Sequence, residues 1–94
     1  PVYAILADDF DGDGTMDILL GGNFYRAKPE VGKYDAGYGL LLLGDGKGGF
    51  TAVPARESGF RVVGEIRSLQ SIPYRGRKLV VVARNNDTAL IFEY

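Results

Sequence analysis

The chain has no cysteine, no histidine and no tryptophan, and a single methionine. Without cysteine there is no disulfide framework and no thiolate metal site. Without histidine the commonest catalytic base and the commonest zinc ligand are missing. Ser-His-Asp and Cys-His nucleophile chemistry are therefore excluded within these 94 residues, whereas Ser-Lys or carboxylate-only chemistry is not. No apolar run approaches the ~18 residues of a membrane span. The net charge of −1 argues against a nucleic-acid surface. No signal peptide is visible and the sequence opens on Pro1. A fragment or processed product is the simplest expectation from that start.

Glycine, by contrast, is abundant: 14 residues, against an average share of roughly 7%. With four prolines, this composition predicts short strands joined by tight turns. Apolar blocks three to seven residues long recur at Val2–Leu6, Ile18–Leu20, Tyr38–Leu43, Phe50–Val53, Phe60–Val63, Ile66–Ile72, Leu79–Ala83 and Ala89–Tyr94. Their length and their Val, Ile, Leu, Phe and Tyr content are those of strands. No window shows a capped 3.6-residue period, so essentially no helix is expected. Continuous runs at Ile18–Leu20, Leu40–Leu43 and Leu79–Val82 predict strands covered on both faces. Gly44–Gly49 reads as one hairpin turn and Asn85-Asn86-Asp87 as another, with Phe24–Gly37 as a long, packed-down loop. Gly44–Gly49 is not a phosphate cradle, because Lys47 is followed by glycine and strand, not by Ser/Thr opening a helix.

The charge is unevenly spread. Asp8, Asp9, Asp11, Asp13 and Asp17 fall within the first 25 residues, where there is no Lys or Arg. The run Asp9-Phe10-Asp11-Gly12-Asp13-Gly14-Thr15-Met16-Asp17 places carboxylates at positions 1, 3, 5 and 9 and glycine at 6. Hard cations such as Ca²⁺ take six to eight oxygens, and alternate Asp side chains in a tight loop can converge on one point. Thr15, at position 7, would contribute its backbone carbonyl. Mg²⁺ prefers to keep its waters and uses fewer carboxylates. An acidic surface turn is the plain alternative, but packing four carboxylates without a counter-charge is costly. Asp8 is out of phase and is expected to face away. An EF-hand is excluded, since position 12 is Leu20 and not Glu.

These residues carry a resemblance. Ala7-Asp8-Asp9-Phe10-Asp11-Gly12-Asp13-Gly14, followed by Asp17-Ile18-Leu19-Leu20, resembles the FG-GAP/VCBS repeat, the blade unit of integrin-α-type β-propellers. The resemblance implies a Ca²⁺ loop between the first two strands of a blade, with Asp9, Asp11, Asp13, Thr15 (carbonyl) and Asp17 as ligands. Gly44–Phe50 resembles the family's turn between strands three and four. Gly22-Asn23-Phe24-Tyr25, Tyr34-Asp35, Tyr38-Gly39 and Ala83–Asp87 resemble the C-terminal end of secreted bacterial VCBS proteins related to the cartilage acidic protein/ASPIC–UnbV group.

A diverged second copy is expected about sixty residues on, where Ile66–Leu69 leads through Pro73-Tyr74-Arg75-Gly76 to Lys78–Val82. It has no carboxylates to bind a second ion. Its turn is basic, with Arg75, Arg77 and Lys78, and is either a solvated hairpin or a contact for an acidic partner.

The sequence thus predicts an all-β antiparallel meander of about one and a half to two propeller blades, 1–58 with the calcium loop and 59–94 without it. A closed propeller needs at least four blades. Further blades of a longer chain, or self-association through strand edges including Ala89–Tyr94, are the expected partners, together with a protein or glycan ligand. The functional expectation is a non-catalytic, structurally Ca²⁺-bound binding or scaffold module that is extracellular, at a cell surface or periplasmic. The alternative is a piece of a calcium-containing propeller enzyme acting on polysaccharide. Against it, Glu57, Glu65 and Glu93 stand isolated in the sequence.

Overall fold

The computed structural model describes residues 2–22, 39–85 and 88–94. The expected loop Phe24–Gly37, with Asn23, Tyr38, Asn86 and Asp87, lies outside the described residues.

The chain is all-β and antiparallel. Strands β1 (Val2–Asp8), β2 (Asp17–Gly22), β3 (Gly39–Gly44) and β4 (Phe50–Val53) form a four-stranded sheet in chain order. Strands β5 (Ile66–Tyr74), β6 (Arg77–Arg84) and β7 (Leu90–Glu93) form a three-stranded sheet, also in chain order. Both are meanders. In each, the register shifts near the start of the first strand, between Val2 and Ala4 and between Ile66 and Ser68.

The turns follow from local chemistry. Between β5 and β6, Arg75 and Gly76 both have positive φ, 51° and 77°, the pattern of a two-residue type I′ hairpin. Between β3 and β4, Asp45 Oδ1 accepts the Lys47 and Gly49 amides at 2.7 and 3.0 Å. The Asp45 amide donates to the Gly49 carbonyl at 3.0 Å. These bonds hold the Asp45 carboxyl below its ordinary value, the Lys47 amide foremost.

The sheets pack through one face each. Leu19 of the first shares one core cluster with Leu69, Val80 and Val82 of the second, and Ile66, Phe60 and Val62 complete it. Ile66 and Val82 are fully buried, each side chain contributing about 1.5–3 kcal/mol of burial. Phe60 and Phe92 meet edge to face at 5.1 Å. The approach is close enough that a Cβ on Gly21 would stand 2.6 Å from Ile66 Cγ2.

Three sequence expectations are corrected. The Phe60–Val63 block is not a strand. It runs between Gly59 and Gly64, both at positive φ, and Phe60 and Val62 enter the core from irregular backbone. A single helical turn, α1 (Ala55–Ser58), precedes it. Pro54, at φ −58°, starts this turn and Gly59 closes it in the left-handed conformation, its amide on the Ala55 carbonyl. Cover on both faces is met on one face only for the continuous strands. Ile18, Leu20, Leu40 and Leu42 are half-buried, whereas Leu19 is buried at 3% exposure. On the same outer side Ile5 is 66% exposed, and Ile91 on the second sheet 61%.

Candidate metal centre

The loop between β1 and β2 is short, polar and mostly exposed from Asp11 to Gly14. Gly12 and Gly14 sit at φ 78° and 88°, a left-handed backbone that glycine adopts without a steric cost. These two kinks turn the intervening amides inward onto carboxylates. Asp9 Oδ1 accepts the Gly12 amide at 2.9 Å and Asp9 Oδ2 the Gly14 amide at 2.8 Å. Asp11 Oδ1 accepts the Asp13 amide at 3.3 Å. Asp13 Oδ1 accepts both the Thr15 amide and the Thr15 hydroxyl, at 2.9 and 2.8 Å.

Asp17, the first residue of β2, is completely buried. Its Oδ2 accepts the Phe10 amide and its Oδ1 the Gly44 amide, both at 2.9 Å. One carboxylate therefore ties the loop to its own entrance and to the β3–β4 hairpin. The Thr15 hydroxyl also approaches the Gly44 carbonyl at 3.1 Å. Sequence spacing singled out Asp17 as a ligand and missed this anchoring role.

Oxygens of Asp9, Asp11, Asp13 and Asp17 lie within 4.8 Å of one another. Two oxygens sharing a Ca²⁺ at roughly 2.3–2.6 Å are separated by no more than about 5 Å. The all-oxygen, four-carboxylate donor set thus fits a hard divalent cation. Thr15 stands in the same loop, with its amide and hydroxyl both committed to Asp13.

The electrostatics reflect the crowding. The Asp11 carboxyl is pushed from 3.8 up to about 6, first by loss of water around it although the residue is exposed, then by its carboxylate neighbours Asp13, Asp9 and Asp17. Asp13 is held below its ordinary value by the two Thr15 hydrogen bonds.

Asp8 turns away from the cluster, as its phase predicts, and finds partners on the other sheet. Lys78 Nζ lies 2.9 Å from Asp8 Oδ2, and the Tyr94 hydroxyl donates to the same oxygen at 2.6 Å. These bonds, Tyr94's first, hold the Asp8 carboxyl low. The basic hairpin is thus not simply solvated. Lys78 is engaged with Asp8 at the end of β1, and Arg77 pairs with Glu93 at 3.0 Å, so Glu93 is not isolated. Arg75 stacks over Tyr74 at 5.2 Å. Sequence reasoning missed the contacts that join Asp8 to Lys78 and Tyr94 and Phe10 to Tyr94. The one local signal was Asp8 itself, an acid without a place in the loop pattern.

The comparisons with known proteins agree with this geometry at its acidic end. No match was found among curated proteins or among solved structures. Residues 1–42, which contain β1, the acidic loop and β2, match the family model described as the FG-GAP repeat, so this part of the chain is similar to an FG-GAP repeat.

Proposed function

We propose that the chain is a calcium-binding β-propeller repeat module with a binding or scaffold role and no catalysis of its own. The observation that carries this reading is the convergence of four carboxylates within 4.8 Å in the loop of the segment that matches the FG-GAP repeat. Asp9, Asp11, Asp13 and Asp17 would hold the ion, with the Thr15 carbonyl. The cation would supply charge neutralisation, removing the mutual repulsion of the acids and fixing the β1–β2 connection. Extracellular Ca²⁺ modules bind at about 10⁻⁴–10⁻³ M. A secreted, cell-surface or periplasmic location, as in the VCBS proteins the sequence resembles, suits that range. The exposed outer faces around Ile5 and Ile91 suit packing against further blades. The free edges of the sheets suit self-association. A protein or glycan ligand is the partner class this reading favours.

The test is thermal melting with and without Ca²⁺. At ten times Kd the ion stabilises by about 1.4 kcal/mol, a rise on the order of 5–10 °C for a domain of this size. Asp13→Ala is expected to remove that rise while changing the metal-free melting temperature little, since Asp13 is exposed. Equal melting of variant and wild type in Ca²⁺ overturns the reading.

A further inference from the structure

We propose that Tyr94, on the second sheet, is a positioning residue for the cation loop, so that ion binding and docking of the two sheets form one coupled equilibrium. The proposal rests on the calcium reading above. It adds to that reading a residue far outside the loop and a consequence for the other sheet.

Asp8, the last residue of β1, and Phe10, in the loop, stand against Tyr94, and each adjoins ligands. Asp8 immediately precedes Asp9, and its Oδ1 accepts the Asp9 amide at 2.8 Å. Its Oδ2 accepts the Tyr94 hydroxyl at 2.6 Å. Phe10 lies between Asp9 and Asp11, and its amide donates to Asp17 Oδ2. The Phe10 ring packs on the Tyr94 ring, with centroids 4.6 Å apart and planes tilted by 56°. A single side chain thus holds the residues on either side of Asp9 by two different contacts, one polar and one aromatic.

Tyr94 is itself held from behind. Its amide donates to the Lys78 carbonyl at 2.9 Å, and its carbonyl accepts the Lys78 amide at 3.3 Å. The Ser71 hydroxyl meets its hydroxyl. Lys78 Nζ, paired with Asp8, lies 5.9 Å from its ring centroid. The support therefore comes from β5 and β6, not from the loop.

The physical consequence follows from the charge. Adjacent carboxylates without an ion repel one another, and binding requires them to stay close. Contacts that fix Asp8 and Phe10 lower the cost of assembling the ligand set. Linkage makes the effect reciprocal, so an ion that fixes the loop strengthens the loop's hold on Tyr94. If Tyr94 merely fills the interface, its truncation lowers the melting temperature and leaves Ca²⁺ affinity unchanged.

The experiment is calorimetric titration of the full chain with CaCl₂, for wild type, Tyr94→Phe and Tyr94→Ala, with circular dichroism to verify folding. Amide hydrogen exchange is measured with and without Ca²⁺. Tyr94→Ala is expected to weaken Ca²⁺ binding about 5- to 20-fold. Tyr94→Phe keeps the ring contact and is expected to weaken it less. Ca²⁺ is expected to slow exchange in residues 78–82 and 90–94 of the wild type, and not in Tyr94→Ala. Wild-type affinity in a folded Tyr94→Ala overturns the proposal and leaves the calcium reading standing. Absence of binding by the wild type overturns the calcium reading first. Should Tyr94→Ala fail to fold, Tyr94→Leu and Phe10→Leu replace it, and unchanged affinity in both overturns the proposal.

Discussion

Asp8 and Asp17 stand directly opposite each other where β1 and β2 leave the acidic loop. Like charges in that relation are normally destabilising. Here each is satisfied from a different quarter. Asp8 takes Lys78 and Tyr94 from the second sheet, while Asp17 takes the amides of Phe10 and Gly44. The pair is the point at which loop, hairpin and second sheet meet.

Asp17→Asn tests the anchoring half of this arrangement. The substitution turns one acceptor oxygen into an NH₂ group facing a backbone N–H. Because Asp17 is fully buried, the cost is about 1–3 kcal/mol. Unlike the loss in Asp13→Ala, it is expected in metal-free solution too. Denaturant melts in the presence of chelator measure it, and wild-type stability would show that the two amides do not depend on the carboxylate.

Gly21→Ala tests the packing of the sheets. The new Cβ meets the buried Ile66 side chain at 2.6 Å, and no flexible chain end is there to yield. Overpacking of this kind costs about 1–3 kcal/mol. Paired with Ile66→Ala, which removes the Cγ2 methyl that the new Cβ meets, the double variant is expected to lose less than the sum of the two single losses. Additive losses in the double variant would contradict the contact.

The dependence on pH has opposite signs at the two acidic positions. Asp11 is raised from 3.8 to about 6, so the folded, metal-free chain holds that proton more tightly than the unfolded one. Its ionisation therefore opposes folding, and stability rises as pH falls from neutral through about 6. Asp8 is lowered, so its contribution is present above 3.8 and is lost as pH falls through its folded value. Lys78 is raised above 10.5, first by its bond to Asp8. Its contribution is present below 10.5 and is lost as pH rises through its folded value. Melting temperatures in chelator are thus expected to be higher near pH 5 than at pH 7.5. Ca²⁺ is expected to remove that difference. A metal-free chain that loses stability steadily from pH 7.5 to 5 would contradict the crowding of the loop.

What was legible in the sequence was local. The spacing of Asp9, Asp11, Asp13 and Asp17 is a property of nine consecutive residues, and the structure brings their oxygens together. The β3–β4 hairpin was legible because Asp45 and its glycines carry their own turn chemistry. Phe60 and Val62 look like a strand because burial, not pairing, selects their apolar character. The ties of Asp8 to Lys78 and Tyr94 span 70 and 86 residues. No periodicity reports a contact at that separation, which depends on how the two sheets dock. Asp17's double role was hidden for the same reason, because Gly44 is 27 residues away.

Calorimetric titration of the intact chain with Ca²⁺, alongside Asp11→Asn/Asp13→Asn, tests the central claim most directly. One site per chain with Kd of about 10⁻⁴–10⁻³ M, absent from the double variant, is the expected result. No binding by the wild type at several millimolar Ca²⁺, or equal binding by the double variant, would contradict it.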